Sequence, residues 1–184
     1  MTALQTYGRL HKFFHWWVAI HLGVILFAAF GLADLPLADK KQEYSDHGLA
    51  TTLLLVVMVL RLLWRVRHPA PPLPEHMPRW ERQAGRIAHC GLYTLVFLQC
   101  GVGFLLASTT EVDFIPNLIR VNYTAPDLVP GRFYGILQTL HATIYWMLIT
   151  LIALHIGAAF KHALQNRDGI MRRMLPFAEP KKKG

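Results

Sequence analysis

A chain of 184 residues that is 53% hydrophobic and only 16% charged, with its apolar residues in long uncharged blocks, is typical of a polytopic membrane protein. The formal net charge of +8 does not indicate nucleic-acid binding, because the basic residues flank the apolar blocks and do not line one soluble face. We expect one membrane domain, residues 1–184, in contact with lipid and without a nucleic-acid partner.

The first apolar block covers residues 13–33. Because Arg9 and Lys12 precede it, a cleaved signal peptide is one interpretation. However, twenty-one uncharged residues are many for the apolar part of a signal peptide, and His15 and His21 are unusual inside one. We therefore predict a retained transmembrane helix over 13–33.

The second and third spans are separated by a proline-rich connector. The second runs from about 47 to 66, begins at His47 and carries Arg61 and Arg65 at its end. These two arginines are one helical turn apart and can extend towards a headgroup layer. The third span covers 87–110, and its glycines allow close approach of a neighbouring helix or a flat ligand.

The fourth span, 133–162, contains the longest uncharged stretch, residues 133–160, and is followed by a basic tail, 163–184. It is long enough to cross a hydrocarbon core of about 30 Å. His141 and His155 interrupt it, and a spacing of fourteen residues returns them to within about 40° of one face, about 21 Å apart along the axis. Ionisable groups at such depth are costly and usually functional.

Lysine and arginine are distributed unevenly over the connectors. Of the 19 in the chain, 15 lie at the N-terminus, in the second connector and in the tail, and 4 in the two other connectors. The positive-inside rule therefore predicts that both termini face the cytoplasm. The resulting fold is an all-α, up-down-up-down four-helix transmembrane bundle.

This topology groups the membrane histidines by depth into two pairs. His15 and His155 lie near the cytoplasmic face, and His47 and His141 near the outer face. Heme iron fits such pairs best, since it takes two axial imidazoles within an otherwise apolar ligand. We predict hemes in the bundle core, with one pair of axial ligands each. Zinc is a weaker alternative, because two histidines fill only half of a tetrahedral shell. The simplest alternative to any metal site is that these histidines form hydrogen bonds between helices.

Six short stretches spread over essentially the whole chain carry a family likeness: FHWW, DHG, RLLWR, HCGLY, LHATIYW and ALHIGAAFKH. In them the sequence resembles the bacterial cytochrome b561 family. The resemblance implies a di-heme b cytochrome of the bacterial inner membrane, with His15, His155, His47 and His141 as iron ligands and quinone as a redox partner.

The resemblance also implies roles for residues near the cytoplasmic face. It suggests that His162 donates a hydrogen bond to quinone, whereas an interfacial polar residue is the alternative. The family member that is a superoxide oxidase uses a lysine ahead of the third helix at its quinone site, where this chain has Arg79. Arg61 and Arg65 either anchor the topology or pair with heme propionates, whose carboxylates suit a guanidinium fork.

We expect other roles for three further histidines. His21 lies about 120° away from the face of His15, and we expect it to bond only a neighbouring helix. His89 is expected to pack against a neighbour or to steady a propionate. His11, one turn before His15, is a weaker competitor for the inner iron, because it lies deeper in the headgroup layer.

Two functions remain open at this stage. One is an electron conduit of the respiratory chain that links a periplasmic donor, a small molecule or a protein, to the quinone pool. The other is a superoxide:ubiquinone oxidoreductase that takes electrons from superoxide at the periplasmic side. The outer connectors hold seven acidic residues against four basic ones, which does not favour steering of an anion.

Overall fold

The computed structural model describes residues 6–32, 35–75, 77–109, 115–116, 118 and 128–177. Throughout these ranges the regular structure is helical and contains no β-strand. The helices are α1 (Arg9–Ala29), α2 (Leu37–Arg67), α3 (Arg79–Ala107), α4 (Tyr134–Lys161) and the short α5 (Ile170–Met174). The first four are long and apolar enough to cross a membrane. The predicted four-helix transmembrane bundle is confirmed.

α2 and α3 begin ten and eight residues before the apolar spans at 47 and 87. Pro36 and Pro78 stand immediately before them, and the carbonyls of these prolines accept hydrogen bonds from the first helical turns. Proline suits this place because its missing N–H would have no intrahelical partner there. Asp39 and Glu81 in the first turns are favourable beside the positive end of the helix dipole.

The helices pack in chain order, α1 on α2, α2 on α3 and α3 on α4, whereas α4 makes few close backbone contacts with α1 or α2. The buried core lies at mid-height of the bundle and includes Val18, Leu54, Met58 and Leu148. Elsewhere large apolar side chains point outward, as Phe27 does with 87% of its surface exposed. Such an outer surface suits lipid.

The two ends of the bundle differ in charge. We name the end that holds Arg9, Arg65, Arg79 and Lys161 the basic end, and the other the opposite end. At the basic end, α4 runs into a π-helical turn, His162–Asn166. Arg167 and Gly169 then adopt positive φ angles of 49° and 76°, which reverse the chain towards the bundle.

After this reversal, α5 is fastened to other parts of the basic end. The Tyr7 N–H donates to the Arg173 carbonyl over 3.2 Å, and the Trp16 indole N–H donates to the Met174 carbonyl over 2.8 Å. The buried Arg173 side chain donates to the Pro72 carbonyl. The C-terminal hook, residues 162–174, therefore joins the start of α1 to the connector between α2 and α3.

Candidate functional site

Three histidines from three helices meet at the basic end of the bundle. The rings of His15 on α1 and His155 on α4 lie with their centroids 6.4 Å apart and their planes at 64°. The ring of His89 on α3 lies 5.3 Å from that of His155. All three side chains are partly buried. The structure thus brings together the pair expected near the cytoplasmic face and adds His89 beside it.

The spacing of His15 and His155 fits an iron between two imidazoles. Two metal–nitrogen bonds of about 2 Å, and about 1 Å from each nitrogen to its ring centre, place the centroids about 6 Å apart. The rings of His89 and His155 are closer than that. Among the described residues no three His, Cys, Asp or Glu side chains converge as a metal-ion site.

Two arginines of α2 border this histidine group. The Arg61 guanidinium donates to His15 Nδ1 over 3.3 Å. Arg61 and Arg65 also lie over the ring of Tyr93, at 5.2 and 5.6 Å from its centroid. In the part of the chain that the structure describes, neither arginine has an ion pair, and the buried Tyr93 hydroxyl has no hydrogen-bond partner. These groups suit an anion such as a heme propionate.

The second histidine pair lies at the opposite end. His47 on α2 and His141 on α4 are close enough for their charges to interact. The Gln99 amide on α3 donates to His141 Nε2 over 3.1 Å. His141 Nδ1 and Gln99 Oε1 are buried without a partner among the described residues. Gln99 was not identified from the sequence, because no periodic signal separates it from a packing residue.

Gly103 on α3 forms a cradle for the His141 ring. A Cβ atom at this position would lie 3.0 Å from His141 Cε1 and 3.5 Å from Nδ1. The imidazole therefore rests almost directly on the backbone of α3. A side chain at position 103 would therefore displace the ring.

Two other histidines are occupied by structural contacts. His21 Nε2 bonds the Ala50 carbonyl of α2 over 3.0 Å, which confirms the expected bond to a neighbouring helix. His11 Nδ1 accepts from the Trp64 indole over 3.2 Å, and its Nε2 donates to the His68 carbonyl over 3.0 Å. Both nitrogens of His11 are thus engaged in structural hydrogen bonds.

His162 lies in a polar cluster at the membrane boundary of the basic end. Its Nδ1 is 2.5 Å from an Asp168 carboxylate oxygen. Lys161 forms an ion pair with Glu81 of α3 over 2.5 Å. Arg79 is exposed two residues before Glu81 and makes no hydrogen bond or ion pair within the described residues. The structure thus places His162 and Arg79 at the same end without a contact between them.

A four-helix membrane bundle that sets histidines of different helices against one another has the architecture of a membrane cytochrome b. Residues 6–177 match the family described as prokaryotic cytochrome b561. The chain is also 30% identical over 181 residues to cytochrome b561 homolog 2 of Escherichia coli (strain K12), covering 93% of this chain and 92% of that protein. The chain belongs to the prokaryotic cytochrome b561 family. It is an integral membrane protein that binds heme b and transfers electrons.

Proposed function

We propose that the chain binds two hemes b, one at each end of the bundle, and conducts electrons across the membrane to quinone. The observation that carries this proposal is the placement of His141 and His155 on one helix, fourteen residues apart. The ring of His155 lies beside that of His15, and His141 lies at the same end of the bundle as His47, within reach of its charge. The buried core around Leu148 lies halfway between them. Two sites stacked along the membrane normal make a path for electrons.

His15 and His155 would hold a heme iron at the basic end, and His47 and His141 one at the opposite end. His15 and His141 would have to rearrange the hydrogen bonds that Arg61 and Gln99 donate to their nitrogens. A bound heme supplies an iron that cycles between the ferric and ferrous states. The helices fix the rings, and the apolar core keeps water away from the space between the sites. Arg61 and Arg65 are the proposed partners of the propionates at the basic end.

We place the basic end at the cytoplasmic face of the bacterial inner membrane, following the charge bias of the connectors. Quinone arrives through the lipid, and its reduction takes up two protons, so its head must reach polar groups near water. The cluster around His162 meets this requirement. His162 follows His155 by seven residues, about 10 Å along the axis and within about 20° of the same face. Arg79 is the second proposed group there.

The test measures heme content and heme reoxidation separately. Purified wild type should hold two hemes per chain, and His162→Ala should keep both but slow reoxidation by added ubiquinone several-fold. His68→Ala is the matched control, since His68 is an exposed histidine of the same end that stacks on Trp64. One heme in the wild type, or equal rates in the two variants, contradicts the proposal.

Superoxide is a second candidate for the electron donor. Arg132 is exposed in the turn ahead of α4 at the opposite end, nine residues before His141, where a cation could attract an anion. If superoxide is the donor, Arg132→Gln should slow superoxide-driven quinone reduction and reduce its dependence on salt. A wild-type protein that superoxide does not reduce leaves the conduit function with another periplasmic donor.

A further inference from the structure

The chain reversal after α4 brings Asp168 back to His162. His162 Nδ1 and Asp168 Oδ2 are 2.5 Å apart, and only 14% and 4% of the two side chains are exposed. The other carboxylate oxygen, Oδ1, accepts the Ile170 backbone N–H over 3.0 Å. Since each oxygen has its own donor, the carboxylate is held in one orientation towards the ring.

This geometry decides which imidazole nitrogen of His162 carries the proton that faces Asp168. A carboxylate accepts hydrogen bonds, so Nδ1 donates to it and the Nδ1–H bond points at Asp168. Nε2, on the far side of the ring, makes no hydrogen bond within the described residues. Nε2 is therefore the nitrogen left to meet a ligand.

The other charged side chains of this cluster are paired with each other, so Asp168 and His162 face one another as a separate pair. Glu81, the nearest other acid in the cluster, is compensated by Lys161, whose ammonium also lies over the Trp80 ring. Asn166 lies between the two pairs: its amide nitrogen donates to Glu81 Oε2 over 3.4 Å and stands 3.1 Å from His162 Nδ1, to which it cannot donate while Nδ1 carries the proton held by Asp168. A carboxylate held against one imidazole nitrogen stabilises the protonated ring, as in other acid–base pairs of this kind.

We propose that Asp168 makes His162 the proton donor of the quinone site, and not only a hydrogen-bond donor; this inference rests on the proposed function. As electrons from the reduced protein enter the quinone head, the Nε2–H bond breaks and an O–H bond forms on the quinone oxygen. Water at the membrane boundary then returns a proton to the ring. Full reduction to quinol takes two electrons and a second proton, also from water.

Asp168→Asn separates proton donation from binding. Asparagine keeps an oxygen for the Ile170 N–H, but its NH₂ group faces His162 Nδ1 and donates to it. The ring then becomes neutral with its proton on Nε2, so it still binds a quinone carbonyl but is a poorer acid. In stopped-flow reoxidation of the reduced holoprotein by ubiquinone-1, we expect the rate at saturation to fall about tenfold or more. The half-saturating concentration should change less than about twofold.

Glu75→Gln is the control, because it removes an exposed carboxylate of the connector at the same end, outside the cluster around His162, and it should keep the wild-type saturating rate. Equal saturating rates for Asp168→Asn and wild type, where His162→Ala is slow, overturn the inference and leave the quinone site intact. If His162→Ala is reoxidised as fast as wild type, the quinone does not bind at His162. The proposed function is then wrong about the quinone site, and the inference fails with it.

A spectroscopic measurement tests the pair without any turnover. In ¹⁵N-histidine-labelled, reduced protein in lipid nanodiscs, the His162 resonances are assigned by their loss in His162→Gln. Wild type should show a protonated, hydrogen-bonded Nδ1, and Asp168→Asn a bare Nδ1 with the proton on Nε2. A bare Nδ1 in the wild type overturns the inference whatever the kinetics.

Discussion

Gly103→Ala tests whether the His141 ring is held by a cofactor or is free to move. The added Cβ would stand 3.0 Å from His141 Cε1, whereas carbon atoms in contact prefer about 3.5–4.0 Å. The ring must therefore retreat by about 0.5 Å. A free ring does so at little cost, but a ring bonded to iron tolerates only about 0.2 Å of change in bond length.

The expected loss of heme affinity in Gly103→Ala follows from this misfit. Overpacking of a tight site costs about 1–3 kcal/mol. If that cost falls on the heme-bound state, the heme affinity of the opposite end drops by about 5- to 150-fold, since about 1.4 kcal/mol corresponds to a factor of ten. At limiting heme, the variant should hold about one heme per chain, and the heme that remains should be the one at the basic end.

The assay is heme content per polypeptide together with a redox titration that resolves the two hemes. Gly101→Ala, on the same helix, is the control, because a Cβ at Gly101 would meet no atom within 4 Å. Gly91→Ala is a second control, since its Cβ would press on Leu151 of α4 and disturb helix packing without touching a proposed ligand. Equal heme affinity in Gly103→Ala and Gly101→Ala would refute the reasoning.

Three further outcomes are expected. His47→Leu should remove the heme of the opposite end and spare the other, seen as one heme per chain; loss of both would show that the two sites do not form independently. A reporter fused after Gly184 should be active only in the cytoplasm, and periplasmic activity would invert the proposed orientation. Arg61→Leu should lower the midpoint potential of the heme at the basic end by roughly 50–100 mV, about 1–2 kcal/mol for one electron. The reason is that a cation beside His15 favours the added electron. Arg67→Leu, at an exposed position, should leave this potential unchanged.

The spans could be predicted because an uncharged apolar run of about twenty residues matches the thickness of a hydrocarbon core. Their ends could not, since α2 continues through Lys40 and Asp46 outside the apolar run, where hydrogen bonding and not hydropathy decides the helix boundary. The histidine pairs followed from depth alone. Residues 1–5, 33–34, 76, 178–184 and most of 110–127 lie outside the described residues, and with them parts of the connectors and of the basic tail on which the predicted orientation depends.

The residues that sequence reasoning missed are those whose role depends on contacts between helices. Gln99 and Tyr93 carry no pattern that distinguishes them from helix-packing residues, and only the structure places them beside His141 and the arginines of α2. Asp168 did leave a signal, since the Asp–Gly pair at 168–169 is typical of a turn. What it could not show is that a π-helical turn directs this aspartate back onto His162.

The placement of two proposed ligands on α4 has a consequence for the biogenesis of the protein. Of the four described spans α4 is synthesised last, so His15 and His47 enter the membrane before their proposed partner histidines. Neither site can be completed before the final span is inserted. The C-terminal hook is made later still, and Trp16 and Pro72 gain their partners only then. Heme insertion should therefore wait for α4, and nascent chains arrested before α4 should carry no heme at all.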